Sequence, residues 1–155
     1  MKDIILHTME YTGNVVESVD QLVNFYTDVY DGYKRVYEDC FHQMREDLEL
    51  FPVDNCYSLH GCLEKREYIY ILFEENLLVG SVAIYGNEID DLIVDKEYQH
   101  RGYGLRLLRY AISRMQKDGV SPIILKVADW NVRAIDIYKK VGFEIVGTEI
   151  INRRD

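Results

Sequence analysis

Between Leu92 and Gly104 the chain passes from an aliphatic run, Leu92-Ile93-Val94, into the turn Gln99-His100-Arg101-Gly102-Tyr103-Gly104. The chemistry open to such a turn is anion capture. Glycines let a ligand approach the backbone, the first amides of a following helix have no internal acceptor, and the helix dipole favours negative charge at that end. A pyrophosphate would fit. A pair of glycines also shapes ordinary strand-to-helix connections, so the turn alone does not define a site. No Gly-Lys-Ser/Thr follows, which excludes a P-loop, and Leu107 stands where a dinucleotide fingerprint has its third glycine.

The surrounding pattern predicts the elements that must position this turn. Lys2 to Leu6 reads as a short strand. Two helices are expected over about 17–30 and 33–50, with Asp31-Gly32 as the break between them. In the second, Tyr33, Val36, Tyr37, Cys40, Phe41, Met44 and Leu48 recur at helical steps and form one apolar face, a core or pocket wall. Residues 52–63 read as loop, 68–73 and 77–85 as a hairpin turning at Glu74-Glu75-Asn76, and 89–94 as a further strand. A helix is expected from about 102 to 117, with Leu105, Leu108, Ile112 and Met115 on one side. A strand over 123–127, a helix over 133–140 and a strand over 143–151 complete the order. The class is α/β, with a mixed sheet: parallel pairing near the C-terminus and an antiparallel central hairpin.

Composition sets the bounds. With 155 residues, 48% hydrophobic and 29% charged, the chain suits one globular domain over 1–155. A domain of this size buries roughly 70% of its unfolded surface, so it needs no metal or disulfide staple. Cys40, Cys56 and Cys62 lack metal or redox-dithiol spacing and are expected to be reduced thiols, which together with the polar N-terminus points to a soluble, cytoplasmic protein with no membrane partner. His7, His42, His60 and His100 give no metal spacing. The net charge of −9 is uneven: residues 1–90 carry 6 Lys/Arg against 18 Asp/Glu, residues 91–155 carry 12 against 9. Such an acidic half argues against nucleic acid as partner and suits a cationic ligand, while the basic part suits phosphates; a merely solubilising surface would look the same.

A second motif, Asn131-Val132-Arg133-Ala134-Ile135-Asp136-Ile137-Tyr138, followed by Gly142-Phe143, lies downstream of the first. Together, Gln99, Gly102 and Gly104 in the Q-x-x-G-x-G turn and this N-x-x-A-x-x-hydrophobic-Tyr segment resemble the GNAT superfamily of N-acetyltransferases. The resemblance spans about residues 88–147, and the N-terminal half matches it in outline. It implies a GNAT acyl-CoA N-acyltransferase fold, a central mixed sheet flanked by helices. It also implies acetyl-CoA as co-substrate without a metal, and transfer of acetyl to an amine by direct attack in a ternary complex. The backbone from Arg101 through Gly102, Tyr103 and Gly104 to Leu105 would hold the pyrophosphate, and Ile93 and Val94 would pair with pantetheine as a neighbouring strand would. Gln99 belongs to the cofactor turn. Asn131 would reach the pantetheine arm or cap the helix that follows it, and Tyr138 would protonate the departing thiolate or sit in the core.

An amine attacks only when neutral, so a proton acceptor near the reacting centre matters. Glu88, Asp90 and Asp91 enter the strand that ends at Val94. Strand alternation puts Glu88 and Asp90 on the face of Leu92 and Val94 with Asp91 opposite, unless a bulge shifts the register by one. The resemblance favours Glu88 as base, then Asp90. The acceptor expected from the acidic half is a cationic amine: a polyamine, an aminoglycoside-like compound, or a lysine or N-terminal amine of a peptide. A non-catalytic acyl-CoA sensor on the same fold is the alternative. A homodimer would accord with the family's habit.

Overall fold

A computed structural model describes residues 2–153. In chain order its elements are β1 (Ile4–Tyr11), β2 (Val23–Asn24), α1 (Tyr30–Asp47), α2 (Leu59–Glu64), β3 (Ile69–Glu74), β4 (Leu77–Tyr85), β5 (Glu88–Val94), α3 (Tyr103–Lys117), β6 (Ile124–Ala128), α4 (Val132–Val141) and β7 (Phe143–Ile151). The strands form one mixed sheet in the order β2-β3-β4-β5-β6-β1-β7. Only β5 and β6 run parallel, and α3 supplies the crossover that such a pair requires. No helix among the described residues is long and apolar enough to cross a membrane.

Each face of the sheet carries its own core. On one face, Leu107, Leu108, Ala111, Ile112 and Met115 of α3 pack with Val79, Val82, Ile89 and Leu125, and Tyr138 of α4 leans on the edge of the same cluster. On the other, Tyr33 and Val36 of α1 and Cys62 of α2 pack with Ile69, Ile71 and Ile93. The apolar stripe expected for α3 is present except at Leu105, which is exposed in the first turn.

The N-terminal third departs from expectation. Residues 17–30 do not form one helix: from Thr12 to Tyr26 the chain has no regular element but the two-residue β2, a 3-10 turn follows at Thr27–Val29, and α1 opens at Tyr30. The run before the turn is held by partners far along the sequence. Gln116 accepts from the Val16 N–H at 2.8 Å, and Arg106 pairs with Asp20 at 2.6 Å. The next helix runs unbroken through Asp31-Gly32, because these residues fall in its first turn, where peptide N–H groups lack helical acceptors anyway and an acidic side chain meets the dipole favourably. The stretch read as loop contains α2, whose N-cap Ser58 accepts from the Gly61 N–H. The first strand extends to Tyr11, since β1 is paired on both sides, by β6 and β7.

At Gly80 in β4, a Cβ would lie 2.8 Å from the Ile93 carbonyl oxygen and 2.8 Å from Leu107 Cδ1. The bare backbone lets α3 settle on the sheet. Gly80→Ala is therefore expected to cost about 1–3 kcal/mol of stability by overpacking, read as a lowered midpoint in chemical denaturation; an unchanged midpoint would show that α3 has slack.

Candidate active site

The glycine turn is built as a donor nest. Asp95 closes β5: its carboxylate accepts from the Glu97 N–H at 3.0 Å and from the Arg35 guanidinium at 2.9 Å. Burial opposes its ionisation, but these two donors outweigh burial and hold the carboxyl below the usual range. His100 and Gly102 both take left-handed backbone, with φ of +65° and +87°. The first α-helical bond of α3 runs from Arg106 N–H to Gly102 O at 3.0 Å, so the amides of Tyr103, Gly104 and Leu105 have no helical acceptor. Nothing stands within 4 Å of where a Gly102 side chain would begin. Arg101 lies over the Tyr98 ring, and Arg133 of α4 reaches His100, which joins the two motifs with basic groups. Arg106 is drawn away, to Asp20 and Glu74.

Beside this turn the sheet comes apart. β5 and β6 pair only at Glu88↔Ile124 and Ile89↔Leu125, and beyond Ile89 a cavity of about 400 Å³ opens between them. Asp90, Asp91 and Leu92 of β5 line it, together with Tyr37 and Phe41 of α1 and, from the far side, Asn131 and Tyr138. At the end of β5 the Asp95 N–H bonds the Val79 carbonyl at 2.9 Å. Antiparallel alternation therefore turns the peptide groups of Ile93 to its β4 partner Ser81 and those of Val94 to the open side. Of the two residues expected to meet a ligand backbone, only Val94 presents its N–H there. Its carbonyl already accepts from Gln99 Nε2 at 3.0 Å and from the Cys40 thiol at 3.1 Å. The motif glutamine thus braces the strand end from which the turn springs.

The carboxylates are rearranged by a bulge. Ile93 pairs with Ser81 and Asp90 with Ala83, so Asp91 and Leu92 together oppose Val82, and Asp91 adopts φ of +47°. Asp90 and Glu88 consequently do not share the face of Leu92 and Val94. They lie with Ala83 and Tyr85, their partners on β4, on the side that Asp91 also enters. Glu88 sits at the strand entrance, outside the cavity wall, with its carboxyl raised by burial and by Asp90. Asp91 is the residue that alternation missed. It is only 8% exposed and accepts from Tyr57 Oη at 2.9 Å and Tyr37 Oη at 3.3 Å. Burial, then the neighbouring Asp90 charge, pushes its carboxyl up to about 6 despite these donors. The same burial pushes both phenols up, so they stay protonated donors.

Tyr138 lines the opposite wall, its ring edge-on to Phe143 at 6.0 Å. Burial, followed by repulsion from Asp90, pushes its phenol up to about 12. Asn131 caps α4 by accepting from the Ala134 N–H at 3.1 Å, which leaves its Nδ2 donors for the cavity. A buried carboxyl and a protonated phenol thus line one cavity, and the same strand leads from it, past the unpaired edge at Val94, to the helix N-terminus with its free amides.

Residues 24–143 match the sequence model of the acetyltransferase (GNAT) family. The chain belongs to this family. The fold agrees with that of other GNAT proteins: the PaiA N-acetyltransferase of Thermoplasma acidophilum, solved with coenzyme A, superposes with a TM-score of 0.64 at 21% identity over 80% of this chain and 89% of that one. A GCN5-related N-acetyltransferase of Sphaerobacter thermophilus gives 0.70 at 14% identity, over 97% of this chain and 51% of that one. In sequence, the ribosomal protein bS18-alanine N-acetyltransferase of Escherichia coli K12 is 38% identical over 83 residues, 50% of this chain and 56% of that enzyme. Thialysine N-epsilon-acetyltransferase of Bos taurus is 35% identical over 54 residues, 35% of this chain and 32% of its own. The aligned parts span between about a third and just over half of these curated GNAT relatives.

Because the Asp91 carboxyl rises from 3.8 to about 6, it holds its proton more tightly in the folded chain. The linked stability is present in full below 3.8 and is lost as the pH passes 6, a difference of about 3 kcal/mol. Asp91→Asn, which carries no charge, is therefore expected to unfold at a higher temperature than the parent at pH 8, with the gap closing between pH 6 and 4. A gap independent of pH would mean that Asp91 carries no such penalty.

Proposed function

We propose that this chain transfers an acetyl group from acetyl-CoA to a primary amine by direct attack in a ternary complex. The observation that carries this reading is the order along one strand and its turn: Asp91 and Tyr138 line the cavity where β5 parts from β6, and β5 then runs past the open edge at Val94 to the free amides at the α3 N-terminus. The relatives named for an alanine amine and for the ε-amine of thialysine support an amine as acceptor.

Acetyl-CoA supplies the thioester, and the rest of the chemistry falls to the chain. The amides of Tyr103, Gly104 and Leu105, with Arg101 and Gly102 shaping the turn, receive the pyrophosphate, and Asn131 offers its amide to the pantetheine arm. The Val94 N–H, facing the open side, is available to the thioester carbonyl oxygen as charge builds on it. Asp91, ionised above pH 6, accepts the proton that an ammonium must lose, directly or through water. It takes the role that the sequence assigned to Glu88 or Asp90. Tyr138, protonated at neutral pH, donates to the leaving sulfur and regains a proton, directly or through water, from the nitrogen that has taken the acetyl group, so the products are an amide and the free CoA thiol. The cysteines serve packing, and the free-thiol state in which Cys40 donates to Val94 accords with a cytoplasmic setting.

Tyr138→Phe is expected to bind acetyl-CoA within about twofold of the parent while kcat falls about a hundredfold, measured by calorimetry and by thiol release. Unchanged turnover would remove Tyr138 from the chemistry, and binding by the parent without thiol release for any amine would favour an acyl-CoA sensor. Gly102→Val should weaken acetyl-CoA binding about tenfold or more, because a β-branched residue resists the left-handed backbone and crowds the amides; retained affinity would refute the turn assignment.

A further inference from the structure

The charge of the acceptor end of the cavity differs from that of the half-chain that builds it. Beyond Asp91 the wall is made by Phe41 and Met44 of α1, Leu48 and Leu50 just after it, Leu6 of β1 and Ile151 of β7. Among the described residues, the carboxylates on this wall are Asp90 and Asp91, and they are matched by the cationic side chains of Arg45 and Lys126. The acidic surplus of residues 1–90 points elsewhere: the carboxylates of Glu46, Asp54 and Glu64 are 58%, 53% and 67% exposed at the surface.

The outer end of the cavity is still less hospitable to a second cation. The Arg45 guanidinium is fixed there by donation to the Pro52 carbonyl at 3.1 Å, and the Arg153 guanidinium donates to the carbonyls of Leu48 and Glu49. An extended polycation whose reacting amine lay at Asp91 would carry its other ammonium groups along an apolar wall toward the fixed Arg45 guanidinium. Burying an ammonium without a partner costs far more than burying a methylene gains.

We infer that the acceptor is a primary amine on an apolar aliphatic or aromatic body, with a neutral or anionic far end and no second cationic group. This rests on the transferase reading and narrows it, setting aside the polyamine and aminoglycoside classes that overall charge suggested. The body takes the wall of Phe41, Met44 and Leu48, the amine takes Asp91, and Arg45 faces the far end.

Two conjugates test it, each joining the CoA sulfur through –CH2–C(=O)–NH– to an amine residue: 2-phenylethylamine in one, spermidine through a terminal nitrogen in the other. Calorimetric titration, with acetyl-CoA as reference, is expected to show the phenylethyl conjugate binding at least tenfold tighter than the spermidine conjugate. Met44→Glu should shrink that ratio severalfold and leave acetyl-CoA affinity unchanged. With acetyl-CoA bound normally, equal affinities or a preference for spermidine would overturn the acceptor assignment and leave the transferase reading standing. Failure of acetyl-CoA itself to bind would sink both.

Discussion

A strand inside a protein must satisfy its peptide groups on both edges, and β5 does so on only one. It is paired with β4 throughout, while its contact with β6 ends after two residue pairs. That parting is the constraint from which the site follows. Side chains cover what the sheet leaves bare: Gln99 and Cys40 both reach the Val94 carbonyl, and the extra residue at Asp91 bends the strand away from its neighbour. The gap sets α1 and α4 on opposite walls, so Tyr37 and Tyr138 face one cavity from helices on opposite faces of the sheet.

The electrostatics of the gap work against the fold. A carboxylate this buried is held by two phenols and opposed by its own neighbour, Asp90, so its ionised form is carried at a loss by the rest of the molecule. The phenols limit that loss without neutralising the group, because burial keeps them protonated and donating. At the other end the balance is reversed: Asp95 is no more exposed than Asp91, yet Arg35 and the Glu97 amide keep it charged at little cost. One acid is fastened in its charged form and the other is held close to its titration point.

The C-terminal half was largely legible from sequence because its signals are local. The glycine turn, the α3 stripe through Leu108, Ile112 and Met115, and the Asn131 cap all lie within one or two turns of the residues that explain them. The N-terminal third was not, because the run up to Tyr26 is fixed by Gln116 and Arg106, about a hundred and about ninety residues away, which no local period reports. The carboxylates fall between these cases. Their strand was evident, but which of them enters the cavity depends on a one-residue bulge, and alternation inverts across it. Tyr57, on a segment read as plain loop, carried no signal of its partnership with Asp91. Total charge is in the same way a poor guide to the cavity, since exposure decides which carboxylates line it.

Because the sheet separates two cores, residues that hold α3 and α4 rarely contact those that hold α1 and α2. Substitutions in one need no compensation in the other. A lineage descended from such a chain is therefore free to rebuild the wall of Phe41, Met44 and Leu48 while the side built on α3 and α4 stays untouched, and the two halves of the sequence can age at different rates.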